Sequence, residues 1–233
     1  MTSQTNEYDQ PVGPDLGAWT PPAEPPWRAI EGSGVRIEPM HRAQHAVPLY
    51  HVFKHAPETM WTYLSFGPFM DAAELGQTID AINEQSDWQP YAIVVDSVVV
   101  GFFNYMRINA HAGSIEVGGV VFSPELQRTR ASTEAQYILM KNAFDLGYRR
   151  YEWKCDDLNA PSRAAAERLG FSYEGTFKNA THYKGRSRDT AWYSITDDEW
   201  PAIDAAFQTW LDPENFNEDG SQKTRLQTPA GRP

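Results

Sequence analysis

The residues best placed to do chemistry lie between Val120 and Glu134, in the run VVFSPELQRTRASTE. A β-rich segment, GSIEVGGVVFS, ends in a Ser123-Pro124 turn, and after Gln127 the chain opens directly into a long helical pattern. The first N–H groups of a helix have no intrahelical partner and sit at the positive end of the macrodipole, so such a junction offers ready-made donors to a phosphate. Arg128 and Arg130 add formal charge there, although the same pattern also fits an ordinary loop with a solvated arginine pair. The lone cysteine, Cys155, is flanked by Lys154 and Asp156 with no activating histidine, so it reads as a buried structural residue and not as a nucleophile. Of the six histidines, His41/His45 and His51/His55 have the i,i+4 spacing of helical metal ligands. No acidic ligand pattern accompanies them, so they read as surface or cleft residues and no metal is expected.

QRTRASTEA, followed by DDLNAPSRAAAERLGF, resembles the acetyl-CoA-binding core of the GNAT acetyltransferase superfamily, specifically its RimJ/RimL type. Gln127, Thr133, Glu134 and Ala135 match a first motif of the form Q-G-K-G-x-x-T-E-A, and Asn159, Ser162, Leu169, Gly170 and Phe171 match a second of the form N-x-x-S-x-x-x-x-x-x-L-G-F. The resemblance spans approximately residues 35–200 and is weakest before residue 90. Arg128 and Arg130 depart from it, standing where glycines are usual; glycine permits close backbone approach to a pyrophosphate, so guanidinium pairing is expected to compensate.

The resemblance implies an acetyl-CoA-dependent N-acetyltransferase that passes an acetyl group to a primary amine, of a small molecule or of a protein N-terminus, by direct attack in a ternary complex. It implies a cofactor site made by Val120, Val121, Phe122, Gln127, Arg128, Thr129, Arg130, Ala131, Ser132, Asn159 and Ser162. The paired Gly118-Gly119 marks a bulge that would splay this strand from its neighbour, so that the two pantetheine amides can pair with the exposed edge. Acetyl transfer needs a deprotonated amine, an oxyanion donor and a proton for the leaving thiolate. Glu116 is the candidate base, unless it simply faces solvent from its strand. Ser162 is the candidate proton donor, a role compatible with Asn159 and Ser162 also capping a helix. Trp61, Tyr63 and Tyr105, with Glu116, are the candidate acceptor-binding residues, and an early helical region is expected to form one cleft wall. Loss of the glycines leaves open a non-catalytic acyl-CoA-binding module, and transfer of longer acyl groups is a third reading.

The chain has 233 residues, enough for one domain with a sizeable core, and 41% hydrophobic residues including eight Trp argue a globular fold. A formal charge of −11 disfavours nucleic acid or an anionic membrane surface as partner and would favour a cationic acceptor. One cysteine excludes an intrachain disulfide, and no leader or membrane-length apolar run is visible, so the expected setting is cytoplasmic, as a monomer or homodimer.

The elements that must position these residues follow in order. Residues 1–31, centred on PPAEPPW, read as a Pro-rich extended arm, disordered at its start and anchored later by Trp19 and Trp27. Residues 32–212 form the domain: a strand at Val35–Met40, a short helix interrupted by Pro48, a helix capped by Asp71 and Glu74, and two strands joined at Asp96-Ser97. The Glu116 strand comes next, then an amphipathic helix from Thr129 to about Leu146, the strand YRRYEWKC, a short helix, a hairpin with its loop at Lys184–Asp189 and a last helix after Asp197. The expected class is α/β (α+β), a mixed, mostly antiparallel sheet of six to seven strands flanked by helices. Residues 213–233 read as a polar tail outside the core.

Overall fold

A computed structural model describes residues 4–229. In chain order it comprises a two-stranded hairpin, β1 (Gln4–Thr5) and β2 (Pro11–Val12), then β3 (Ile30–Glu31), β4 (Arg36–Pro39), α1 (Arg42–Phe53), α2 (Ala72–Asn83), β5 (Gln89–Val95) and β6 (Val98–Asn109). After these come β7 (Ser114–Phe122), α3 (Arg130–Asp145), β8 (Arg150–Asp156), α4 (Ala160–Arg168), β9 (Ser172–Tyr183), β10 (Arg186–Thr196) and α5 (Trp200–Leu211). One mixed sheet runs in the order β3-β4-β5-β6-β7-β8-β10-β9, antiparallel throughout except for the parallel junction of β7 with β8.

Local chemistry explains most boundaries. Asp71 caps α2 by accepting the Ala73 and Glu74 N–H groups at 2.9 and 2.8 Å, and Glu74 reaches back to the Met70 N–H. Asp96 and Ser97 both take left-handed backbone angles, which closes the β5–β6 hairpin between Val95 and Val98. Pro48 does not interrupt α1: it lies inside a continuous helix whose Ala46, Leu49 and Phe53 are buried, so tertiary packing outweighs one lost backbone hydrogen bond. The β9–β10 turn is tighter than expected, at Lys184-Gly185, and Arg186–Asp189 already belong to β10.

The sheet divides two cores. On one side Ile37, Tyr91, Phe103, Ile115, Val117, Tyr151, Trp153 and Cys155 pack with α3, α4 and α5; on the other Ala92, Phe102 and Val121 pack with α1 and α2. α1 and α2 cover only part of that second side, leaving the segment over β7, β8 and β10 open as a cleft. Val117 and Val121 belong to opposite cores although a regular strand would face them the same way. The alternation is reversed by a bulge: the two steps along β6 from Phe102 to Asn104 face three steps along β7 from Val121 to Gly118. Gly119 adopts φ +56°, and a Cβ there would collide with Asn104 Nδ2.

Both ends of the chain depart from the expected boundaries. The arm supplies an eighth strand, β3, whose turn into β4 is held by the buried Glu134 carboxylate, which accepts the N–H groups of Ser33 and Gly34. Trp19 and Trp27 anchor the arm as expected, donating to the carbonyls of Gly147 at 3.1 Å and Pro90 at 3.0 Å. The expected disordered start falls partly on residues 1–3, outside the described residues, while Gln4 to Val12 form the small hairpin. The segment after Asp212 is not a detached tail. Leu226 is buried in the main core, Phe216 packs edge-on to Trp210, and Trp210 Nε1 donates to Gln222 Oε1 and the Thr224 carbonyl. Two large apolar side chains in a polar stretch suffice to fold it back; residues 230–233 lie outside the described part.

Removal of residues 213–233 should therefore destabilise the domain. Exposing the surface now covered by Leu226 and Phe216 costs at least about 3 kcal/mol, a fall of roughly 6–12 °C in Tm for a chain of this size. Calorimetric melting of the truncated chain checks this; an unchanged Tm would place the segment outside the cooperative unit.

Candidate active site

β7 and β8 pair only from Ser114↔Arg150 to Val117↔Trp153. Beyond Val117 the bulge turns β7 away, so the edges of Gly118–Phe122 and Lys154–Asp156 face each other without ladder hydrogen bonds. Such an opening offers backbone donors and acceptors to an extended, amide-bearing ligand. At its far end the chain enters the loop to α3. Gln127 Nε2 donates to the Phe122 carbonyl at 3.0 Å, and Thr129 caps α3 by accepting the Ser132 N–H at 3.1 Å. Among the described residues no protein acceptor faces the N–H of Arg128, Arg130 or Ala131, the arrangement that suits an anion.

The two arginines divide. Arg128 is exposed, has no ion pair among the described residues, and adopts φ +62°, the conformation for which glycine is favoured. Arg130 points elsewhere, which corrects the expectation for its side chain: Nη2 donates to the Leu211 carbonyl at 2.6 Å, and its guanidinium lies 4.5 Å from the centre of the Phe216 ring. It thus caps the C-terminal end of α5 and secures the folded-back segment.

Glu116 lies on the cleft side of β7, 3% exposed. Arg107 Nη1 donates to both carboxylate oxygens at 2.7 Å, and Lys154 Nζ lies 2.8 Å from Oε2. Lys154 also pairs with Glu152 at 2.7 Å and sits 3.8 Å from the Trp192 ring centre. Burial pushes the Glu152 carboxyl up, but Arg150 and Lys154 outweigh it and hold the group below its usual range. The cleft, about 380 Å³, is lined by these side chains with Tyr63, Phe66, Gly118, Gly119, Tyr183 and Arg188 among others. Two of its walls are joined by Lys184, which donates from the β9–β10 turn to the carbonyls of Trp61 at 2.7 Å and Gly67 at 3.0 Å.

The other sequence-predicted residues distribute as follows. Tyr63 lines the cleft and donates to the Leu158 carbonyl. Trp61 and Tyr105 do not reach it: Trp61 is buried against Phe53 and Phe69, and Tyr105 lies in the opposite core with its hydroxyl on the Leu139 carbonyl. Asn159 accepts the Ser162 N–H at 3.2 Å as the cap of α4, and Ser162 Oγ accepts the Trp153 indole N–H at 3.0 Å and hydrogen-bonds Cys155, on the face of the sheet opposite Glu116. Val120 and Phe122 are half-buried on the open strand, Val121 is core, and Ser132 is buried in the first turn of α3. Cys155 faces the core opposite Glu116, where burial pushes its thiol up. His45 is likewise no surface residue: it is buried, with Nε2 2.9 Å from Glu38 and Nδ1 accepting the His41 N–H.

Sequence reasoning missed Arg107, Lys154, Tyr183, Arg188 and Trp192. Tyr183 donates to Asp156 Oδ2 at 2.7 Å and titrates at about 12, raised first by burial and then by that carboxylate. The period of two could have found several of them. In YEWKCD the polar residues alternate with Tyr151, Trp153 and Cys155, and Thr190 and Trp192 pair with Asp156 and Lys154.

The fold and sequence match those of known proteins. Residues 35–172 match the acetyltransferase (GNAT) domain family. The chain is similar to the crystal structure of a GCN5-related N-acetyltransferase from Brucella melitensis, with 41% identity and TM-score 0.87 over 91% of this chain and 97% of that one. It is also similar to a probable GNAT-family acetyltransferase from Chromobacterium violaceum, with 39% identity and TM-score 0.79 over 83% and 98% of the respective chains. The uncharacterized N-acetyltransferase p20 of Bacillus licheniformis is 25% identical over 143 residues, 59% of this chain and 80% of that protein. A strand pair that parts at a bulge and a family match that spans it place the chain in the GNAT family of N-acetyltransferases.

Proposed function

We propose that the protein transfers an acetyl group from acetyl-CoA to the primary amine of a small molecule, by direct attack while both substrates are bound. The observation that carries this reading is the opening between β7 and β8, which begins at Val117 with Glu116 beside it on the cleft face. Acetyl-CoA supplies a thioester carbonyl open to attack and a thiolate leaving group. The residues fit it: free N–H groups at Arg128, Arg130 and Ala131 suit the pyrophosphate, the Arg128 guanidinium adds a charge, and the Val120–Phe122 edge suits the pantetheine amides. Arg128 keeps the backbone angle that a glycine would take, which supports an intact loop and weighs against a non-catalytic module.

In this reading Glu116 receives the amine proton, directly or through water. Arg107 is the partner able to give way, because its side chain is 53% exposed whereas that of Lys154 is 7% exposed. The Ser162 hydroxyl proton goes to the departing sulfur, and a backbone N–H near Gly119–Val121 holds the oxyanion. The bounded cleft and its Lys184 tie favour a small acceptor over an extended peptide. Among the described residues no helix is long and apolar enough to cross a membrane, and a cytoplasmic setting suits the free thiol of Cys155.

Calorimetric titration with CoA, followed by thiol release across an amine panel, tests the whole reading; absence of CoA binding would overturn it. Within it, Arg128→Ala should weaken CoA binding about tenfold or more, the worth of one charge-assisted contact. Arg130→Ala should instead lower Tm with a smaller effect on CoA. Equal CoA affinity in wild type and Arg128→Ala would show that Arg128 is only solvated.

Glu116→Gln keeps the shape of the carboxylate but not its basicity, so kcat/KM should fall roughly 10²–10⁴-fold while CoA affinity barely moves. Ser162→Ala should lower kcat, and the loss should shrink with an acyl donor whose leaving group is a weaker base. Full turnover of Glu116→Gln across the pH range would assign the proton to another group.

A further inference from the structure

The cleft holds two donors that its own walls leave without acceptors. Arg188 Nε and Trp192 Nε1 are each inaccessible to solvent and make no hydrogen bond within the protein, yet both side chains line the cleft. They project from β10 beside Thr190, which also lines it. The other cations there are already paired: Arg107 with Glu116, and Lys154 with both Glu116 and Glu152. Arg188 has no carboxylate within ion-pair distance among the described residues; its nearest aromatic neighbour is the Tyr183 ring, 6.0 Å away. A guanidinium N–H and an indole N–H buried without acceptors are costly, and a native fold retains them where something else completes them.

We propose that the acceptor is a small amine bearing a carboxylate, with its amine at Glu116 and its carboxylate oxygens on Arg188 and Trp192. This deepens the acetyl-transfer reading and rests on it. Two kinds of group line the same cleft, the Glu116 carboxylate and the Arg188 and Trp192 donors. Lys154 bridges the two, touching Glu116 through its ammonium while its charge rests on the face of Trp192. Glu116 offers a buried carboxylate to a proton, and Arg188 and Trp192 offer N–H groups without acceptors to an anion. The amine nitrogen forms a bond to the thioester carbonyl carbon, the carbon–sulfur bond breaks, the amine proton leaves toward Glu116, and the acceptor carboxylate takes no part beyond holding position. The formal charge of −11 for the whole chain points to a cationic acceptor, but the charge that decides is the one left unpaired inside the cleft.

The test compares L-amino acids with their carboxamides, which share the amine and lose the charge. Purified full-length protein is studied with acetyl-CoA for turnover, and with CoA present for calorimetric binding of each probe, in wild type, Arg188→Gln and Trp192→Phe. Trp192→Phe keeps an aromatic face for Lys154 while removing the N–H together with one ring, so it serves if Arg188→Gln folds poorly. Wild type is expected to prefer acid over carboxamide about tenfold or more in kcat/KM and in binding. That ratio should collapse toward one in Arg188→Gln and shrink in Trp192→Phe, mainly through KM. Equal use and equal binding of acids and carboxamides by wild type, or an acid preference that survives both substitutions, overturns the proposal. Acid-selective binding lost in Arg188→Gln but without thiol release from any amine would sustain the carboxylate site while refuting acetyl transfer, so the two failures are distinguishable.

Discussion

β7 and β8, the one parallel junction of the sheet, hold together for four residue pairs and then part. The cause is local: one extra residue between Gly118 and Val121 breaks the β6–β7 register, reverses which side of the sheet the following side chains face, and bends the strand off its neighbour. Gly119 is the one required, since it takes φ +56° and a Cβ there would meet the buried Asn104 Nδ2, whereas a Cβ at Gly118 would press on the flexible Met106 side chain. Asn104 Nδ2 in turn donates to the Gly118 carbonyl at 3.0 Å, so a buried amide holds the bulge in shape. The open edge, the approach to the loop before α3 and the placing of Glu116 at the fork all follow from that residue.

The architecture was legible from hydrophobic periodicity and turn chemistry because those signals are local. Asp96-Ser97, the Asp71 cap, the paired glycines and the Thr129 start of α3 each carry their meaning within a few residues. The chain ends were misread for the complementary reason. Phe216 and Leu226 sit in a polar stretch without periodicity, and what orders them is contact with Trp210, Arg130 and the core, separated from them in sequence. β3 escaped notice because two residues have no pattern, and its support comes from Glu134, about a hundred residues away.

The site was legible only where backbone sets it. The loop after Phe122 and the cap at Asn159 follow from the strand-to-helix junctions that contain them. Partners that meet across strands were not legible: Arg107, Glu152 and Lys154 join the expected Glu116 as a network only once β6, β7 and β8 are in register. Aromatic density misled in the same way, because composition cannot say which face a ring takes. Trp61 ends a short 3-10 turn and Tyr63 follows two residues on, and the first fills the core while the second lines the cleft.

Arg130 shows how a departure from a family pattern acquires a structural meaning. Read as a replacement for a glycine in a phosphate loop, its charge belongs to the ligand; in the fold it belongs to α5 and the segment beyond it, through the Leu211 carbonyl and the Phe216 ring. The loop keeps its N–H groups whichever way the side chain turns, because anion binding at a helix start depends on backbone. Arg128 keeps the glycine-like angle, and Arg130 takes a helical position that any residue can adopt. The substitution pair therefore preserves the backbone of the loop while tying the segment after Leu211 to the start of α3, where Arg130 adds to the contacts that Leu226 and Trp210 already make.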